Sequence, residues 1–404
     1  MIIGIIGGGA SGMAAALAAA ENENAQVLLF ERQARLGRKL LATGNGRCNL
    51  SNLHATAEHY HGNQADFAAH ALQKYDVTDT LEWFSSLGLY IVDEPSGRLY
   101  PYSDQANSVV DVLRFALEKP NIRVLTGCEV SKVKFHDPGF SVTTEQETYY
   151  CDKLIVACGG LAGTKLGGSM SGYRLLQKLG HKCTKLRPTL VQIKSDWAAL
   201  PSLKGVRANC WAKIFRNGIL HNASMGELQF TEYGLSGPVI FEISRDVCYE
   251  KGDWVCQLDF LPDLNREVLL GLMQKKRNTA LPAEELLTGI LHNRLGRVIV
   301  KQAGIASYVP ISQLEDWELE EVCERVFNLE IPLTEPMGMD CAQVTAGGVV
   351  TEEFDPETME SRLVPGLYAC GEVLDIDGDC GGYNLQWAWS SGRCAGHSAG
   401  KELL

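Results

Sequence analysis

Three glycines near the start of the chain, Gly7, Gly9 and Gly12, stand in G-x-G-x-x-G spacing, and a carboxylate, Glu31, follows about 20 residues after the last of them. The chemistry that suits this set is the binding of a dinucleotide. The first glycine permits a tight turn, the second lets the backbone approach a pyrophosphate, and the third lets a helix pack closely on a strand. A helix opening at Ala10, Ser11 and Gly12 offers free N–H groups and a positive dipole end to the phosphate oxygens. Glu31 is placed to accept both ribose hydroxyl hydrogens and disfavours a 2′-phosphate; Arg32 beside it joins the candidate set. The plainer alternative is a glycine-rich turn that only packs helix on strand.

A second glycine-rich stretch, GLYACGEVLDIDGDCGGYNLQWAWSSGRCAG, lies at 366–396. Two strand-to-helix turns at opposite ends of one chain suit a long, extended cofactor, and so point to FAD rather than NAD. Gly371-Glu372 would bring a carboxylate to the ribityl or pyrophosphate. Gly381, Gly382, Tyr383, Asn384 and Leu385 would open the last helix toward the flavin N1/O2 edge, where reduction builds negative charge. Gly159 and Gly160, after Cys158, end another strand and would approach the adenosine half. Val130, after a turn, is either a backbone partner of adenine or a plain core valine. Arg98, Tyr100 and Tyr383 are the candidate catalytic residues, as substrate anchors or proton donors; each residue type is more often a packed or satisfied side chain. Cys48 and Cys380 fall in presumed flavin loops, where a thiol relays electrons or is simply a small buried residue. Trp387 and Trp389 read as helix core. None of the nine histidines sits in a recognisable catalytic pattern.

With these motifs in view, the chain resembles the BaiN/YhiN-type NAD(P)/FAD-dependent oxidoreductases, some of them described as aminoacetone-oxidase-like. The resemblance covers nearly the whole chain. It is carried by IIGGGASGMAAA at 5–16, RLGRKLLATGNGRCNLSN at 35–52, GRLYPYSDQANSVVDVL at 97–113, GELQFTEYGLSGPVIFEISR at 226–245, AQVTAGGV at 342–349 and the 366–396 stretch. It implies a Rossmann-like FAD/NAD(P)-binding α/β fold with an inserted β-barrel and helical subdomain. It also implies flavin contacts from Lys39, Thr43, Gly44, Asn45, Gly46, Arg47 and Asn49. Read without it, that loop is polar, glycine-rich and basic at Arg38, Lys39 and Arg47; its density of Gly and Asn favours a wrap around the FAD pyrophosphate and flavin ring over a solvated surface loop. The chain departs from the family pattern at Met170, at Glu232 after Thr231, and at Asp379-Cys380 before the late glycine pair.

Elements must position these residues. Ile2 to Ile6, Met13 to Ala20 and Val27 to Phe30 read as a βαβ unit, with the continuous apolar strands of a parallel sheet covered on both faces. Residues 67–89 read as one helix, and Ser103 as the N-cap of another running to about Glu118. Strand-like pieces at 190–194, 211–216, 239–243 and 254–260 suggest an antiparallel unit. Residues 265–330 look mostly helical, and near 341 the α/β texture returns. The expected organisation is a discontinuous FAD-binding domain, 1–190 and 341–404, interrupted at 191–340 by a β-barrel-like part (191–262) and a mostly helical part (263–340).

Composition narrows the class. At 404 residues the chain is long enough for two or three domains. A formal net charge of −12 disfavours broad nucleic-acid binding. No apolar run approaches the roughly 20 residues that span a bilayer, and the first strand leaves no room for a targeting peptide. Thirteen scattered cysteines without a CxxC pair fit reduced thiols and a cytoplasmic place, and no zinc-like cluster is recognisable, so no metal is expected. The function that follows is an FAD-dependent oxidoreductase. It passes a hydride between flavin and a small organic substrate or NAD(P)H, the latter docking transiently because no second G-x-G-x-x-G is present. A non-catalytic flavin-binding sensor and a flavoprotein acting on RNA are the alternatives. Oligomeric state is open.

Overall fold

A computed structural model describes residues 1–94 and 96–401 and divides into two compact units, Met1–Arg187 with Gln343–Leu404, and Pro188–Ala342. In the first unit five parallel strands lie side by side in the order Leu367–Ala369, Lys153–Val156, Ile2–Ile6, Gln26–Glu31 and Ile122–Thr126. Ile3, Ile5, Val27, Leu29, Leu154 and Ile155 are all buried, as strands covered on both faces require. A three-stranded meander, Val130–Phe135, Phe140–Thr144 and Thr148–Cys151, leads back into the sheet.

The helix after the first strand, Ala10–Ala19, is almost entirely small residues, and nine of its ten are buried. A helix apolar all round belongs inside a core. Its small side chains let a second helix come very close, and that helix is the last one, Tyr383–Gly400. A Cβ added at Gly392 would lie 2.4 Å from Ser11 O, and one at Gly396 would lie 2.3 Å from Ala15 O. One at Gly400 would lie 3.1 Å from Ala19 O. Contacts rise together along both chains, so the two helices run parallel, with the three glycines on one face at i, i+4 and i+8.

The second unit carries a six-stranded antiparallel sheet in the order Ile193–Lys194, Gly234–Ser236, Ile219–Phe230, Arg207–Arg216, Trp254–Asp259 and Leu329–Leu333. The first of these bonds to the chain just after the last: Lys194 N–H donates to Glu335 O at 2.8 Å, and Thr334 N–H to Lys194 O at 2.9 Å. The sheet is therefore nearly closed. Helices Arg266–Lys276, Asn293–Gln302 and Asp316–Phe327 share its core.

Three local expectations are corrected. The apolar run at 239–243 is not a strand but part of the helix Pro238–Tyr249; Pro238 at its first turn has its φ preset for a helix. Residues 67–89 form two helices, Phe67–Lys74 and Val77–Ser86, because Asp76 starts the second with a reciprocal capping box to Asp79. Ser103 caps nothing: its Oγ donates to Ser108 Oγ at 2.7 Å, and the helix there is Ala106–Ala116 behind Gln105.

Candidate active site

The first glycine turn is built as its spacing requires. A Cβ at Gly12 would lie 1.8 Å from Gly7 O, so no larger residue lets this helix start against its strand. At Gly9, by contrast, an added Cβ would meet no atom within 4 Å. Gly9 is the N-cap, no side chain caps the helix, and its first turn holds no acid. The uncapped N–H groups of this helix thus face open space. Glu31 stands beside them with both oxygens engaged by backbone: Oε2 accepts from Gly8 N–H and Oε1 from Gln33 N–H, each at 2.7 Å. Each carboxylate oxygen keeps a second lone pair for a hydroxyl.

Gly371 and Glu372 come to the same place. An added Cβ at Gly371 would lie 2.5 Å from Ser11 Oγ, and one at Gly160 would lie 2.3 Å from Glu372 Oε1. Glu372 is braced by the protein, with Oε1 accepting from Thr345 N–H at 2.8 Å and Oε2 from Lys39 Nζ at 2.7 Å. The candidate residues Lys39 and Glu372 are therefore partners of one another. Gly159 is open, with no atom within 4 Å of an added Cβ. Val130 is buried in the core. Arg32 donates to Gly167 O at 2.5 Å and lies 4.0 Å from Glu129.

The final helix makes a second opening. Its N-cap, Gly382, has φ +105, where a side chain is strained, and again no side chain caps it and no acid follows. Ser11 lies level with Gly392, so this opening extends past the first along the shared direction. Gly382 precedes Gly392 by ten residues, and Gly9 precedes Ser11 by two. At about 1.5 Å per residue the two openings are offset by roughly 12 Å.

Around the second opening the 43–49 loop folds in. It holds left-handed residues in succession, Gly44, Asn45 and Gly46, then Cys48 at φ +62. Non-glycine residues held in that region cost energy that the surroundings must offset, and such strain gathers at ligand sites. Asn49 Oδ1 lies 2.9 Å from the Cβ position of Gly382 and is buried with no hydrogen-bond partner. A buried acceptor left unpaired is costly and calls for a donor. Asn52 Nδ2 donates to Gly381 O at 2.8 Å, and Arg98 Nε lies 3.2 Å from the Cβ position of Gly381. Tyr100 is buried, which pushes its phenol above the usual value.

Other candidates have partners within the protein. The Arg47 guanidinium bonds Glu94 at 2.6 Å, also bonds Asp104, and stacks on Tyr100 with its carbon 4.1 Å from the ring centroid. Its donors tie the loop to Glu94 and Asp104. Thr43 Oγ1 donates to Leu40 O at 2.6 Å. Asn384 spends its side chain on its own loop, accepting from Gly378 N–H and donating to Gly378 O and Asp379 O. Leu385 packs half-buried against the core. Cys48 is fully buried, and burial pushes its thiol up to about 12, so it is not a thiolate. Trp387 and Trp389 are core, the latter donating to Leu50 O at 2.8 Å.

Sequence reasoning missed one group. His59 Nδ1 lies 2.9 Å from Asp379 Oδ2, and His61 Nε2 lies 2.6 Å from Asp379 Oδ1. The His59 ring stacks on Tyr383, with centroids 4.5 Å apart and planes 26° apart. Burial pushes the Asp379 carboxyl up, but hydrogen bonds from His61 and His59 outweigh it, and the group sits below the ordinary value. The only hint in the sequence was Asp379 itself, standing where the family pattern has an aromatic residue.

Among the described residues no helix is long and apolar enough to cross a membrane. The profile of the HI0933-like protein Rossmann domain matches residues 1–398. The chain is 39% identical over 407 residues to a 3-dehydro-bile acid delta(4,6)-reductase of Clostridium scindens, covering 98% of each chain. It is 32% identical over 391 residues to the ribosomal RNA dihydrouridine synthase of Escherichia coli, covering 96% of this chain and 95% of that one. Among solved structures it is similar to a 3-ketosteroid delta1-dehydrogenase from Sterolibacterium denitrificans, with 12% identity, a TM-score of 0.49, and 98% and 99% of the two chains covered.

Proposed function

The chain belongs to the HI0933-like family of Rossmann-domain proteins, and from that premise we propose that it is an FAD-dependent reductase of carbon–carbon double bonds conjugated to a carbonyl group. The observation that carries the cofactor half is the pair of uncapped helix openings, facing the same way and offset by roughly 12 Å. One fits a pyrophosphate and the other the far end of an extended dinucleotide. The orphaned Asn49 Oδ1 fits the ring end, because an isoalloxazine carries an N–H donor. The substrate half rests on the two curated relatives. A delta(4,6)-reductase removes double bonds from a 3-oxo steroid, and dihydrouridine is uridine with one ring double bond saturated. Both reactions add two hydrogens beside a carbonyl.

The chain's residues divide the work. N–H groups at Ala10, Ser11 and Gly12 take the pyrophosphate, and Glu31, held by Gly8 and Gln33, takes the ribose hydroxyls. Gly159, Gly160 and Val130 border the adenosine. Lys39, Glu372 and Gly371 lie beside the ribityl chain. N–H groups at the head of Tyr383–Gly400 stabilise negative charge on the ring edge. FAD bound there would supply the hydride chemistry, with NAD(P)H as the transiently docking electron donor. Arg98 polarises the substrate carbonyl, and Tyr383 and Tyr100 line the same side. With its thirteen cysteines all free thiols, the chain suits a reducing, cytoplasmic place.

The test is spectroscopic. Purified protein should carry flavin absorption bands, bleach under NADH or NADPH without oxygen, and regain them on adding a 3-oxo-4,6-diene steroid or cyclohex-2-enone. Protein without flavin bands and without stabilisation by added FAD ends this reading. A second reading, a uracil ring within ribosomal RNA, is favoured by the Escherichia coli relative. The net charge of −12 works against phosphate attraction. Dihydrouridine appearing in treated ribosomal RNA, with no turnover of free enones, would select it.

A further inference from the structure

We propose that His59, Asp379 and His61 form the proton supply of the reductive step, held by Tyr383 at the head of the final helix; this rests on the double-bond-reductase reading above. A short ladder fixes the group in place. His61 pairs with Asp377 and Tyr60 with Gly378, while Asp379 N–H donates to His59 O at 3.0 Å. The Asp379 carboxylate is thereby held between two imidazoles, one on each oxygen, at 2.9 and 2.6 Å. The side chains of His59 and His61 are 30% and 34% exposed, so the group exchanges protons with water. On its inner side it meets Tyr383, which is buried and is the first residue of the final helix. Tyr60, itself buried, donates its hydroxyl to Tyr383 O at 2.9 Å and fixes that residue's backbone. The group therefore joins solvent to the helix opening assigned to the flavin ring.

Reduction of a conjugated double bond needs such a path. One carbon takes a hydride, and the second hydrogen arrives as a proton. In this arrangement an imidazole of the group gives that proton and is recharged from water, while Tyr383, stacked on His59, holds that ring at the helix opening. With NAD(P)H as the source of the electron pair, each cycle would consume one reduced nicotinamide and one proton. A carboxylate with imidazoles on both oxygens keeps its charge, and Asp379 accordingly sits below the usual carboxyl range. The titratable groups set against the three residues are Tyr383, stacked on His59, Tyr60, which faces Asp379, and Asp377, the ladder partner of His61.

Stopped-flow spectroscopy of the holoenzyme separates the two half-reactions. In His59→Gln and Asp379→Asn, reduction of FAD by NADPH should stay within about twofold of wild type. Reoxidation by cyclohex-2-enone should slow by about 10² or more, the usual worth of a positioned acid. Variants that reoxidise at the wild-type rate overturn the proposal. So do variants that lose flavin and both half-reactions together, which marks a purely structural group. Nitrogen-15 NMR of histidine-labelled protein reads the group without turnover. Asp379→Asn should shift the ring-nitrogen resonances of His59 and His61 together, and unmoved resonances overturn the proposal. Wild-type reduced flavin that no enone reoxidises defeats the double-bond reading, and this proposal with it; reoxidation by wild type and variants alike defeats the proposal alone.

Discussion

Gly396→Ala adds one methyl group, and the structure gives its consequence in numbers. The new Cβ would lie 2.3 Å from Ala15 O, 2.8 Å from Ala18 Cβ and 3.0 Å from Ala15 C. Carbon contacts relax near 3.5–4.0 Å, so the two helices must part by about 1 Å. Overpacking of this kind costs about 1–3 kcal/mol. Alanine returns up to about 1 kcal/mol of helix propensity. The net loss is about 1–2 kcal/mol, a fall in Tm of roughly 2–8 °C for a unit of this size. Gly400→Ala is the internal control. Its nearest contacts would be 3.1, 3.4 and 3.6 Å, all with Ala19, which need only a few tenths of an ångström of give. It should leave Tm unchanged or slightly raised. Parting the helices also moves one opening against the other, so Gly396→Ala should weaken FAD by about tenfold or more, equivalent to about 1.4 kcal/mol. Thermal unfolding and fluorescence titration with FAD read both effects. Equal behaviour of the two variants, or a more stable Gly396→Ala, would refute the idea that this glycine face sets the helix spacing.

Glu31→Gln keeps the shape but leaves one oxygen for two backbone donors, Gly8 N–H and Gln33 N–H. With one buried donor unpaired and the ribose contact weakened, FAD should bind about tenfold or more loosely, at about 1–3 kcal/mol per lost bond; unchanged affinity in a fluorescence titration would count against this ribose assignment. His181 is buried; burial lowers its proton affinity more than the hydrogen bond it donates to Glu353 restores it. The folded state therefore takes the proton later than the unfolded chain, and stability should fall as pH drops below about 6.5. Tm measured at pH 7.5 and 5.5 should differ less in His181→Phe than in wild type, and an equal difference would disprove it. Cys48, buried and with its thiol pushed up to about 12, should resist iodoacetamide in the folded protein while exposed Cys341 reacts. Cys48→Ala should retain flavin reduction by NADPH; loss of reduction without loss of FAD would restore a redox role to this thiol.

Features decided within a few neighbouring residues were legible in the sequence. The strand, the Gly7–Gly12 turn and Glu31 all lie within the first βαβ unit, and the spacing itself states the geometry. The run at 239–243 was misread because its apolar and aromatic residues fit a strand as well as a helix; Gly237-Pro238, a good helix start, stood just before it. Arg47 is implied as a flavin contact by its place in the glycine-rich loop. What decides its task are Glu94 and Asp104, 47 and 57 residues away. The His59–Asp379–His61 group was illegible for the same reason on a larger scale. Its members stand about 320 residues apart and meet through a ladder of two residue pairs, too short to leave a periodic signal.

One long-range feature, however, was written in the sequence and is decisive. Gly392, Gly396 and Gly400 repeat every four residues, which places them on one helix face. Opposite them stands a first helix made almost wholly of alanine. Two such faces specify a close, parallel pairing, and the pairing fixes how far the second helix start extends beyond the first. That offset decides what length of cofactor the fold can hold. The residues most informative about the ligand are thus a stripe of glycines buried behind the site, touching no ligand at all.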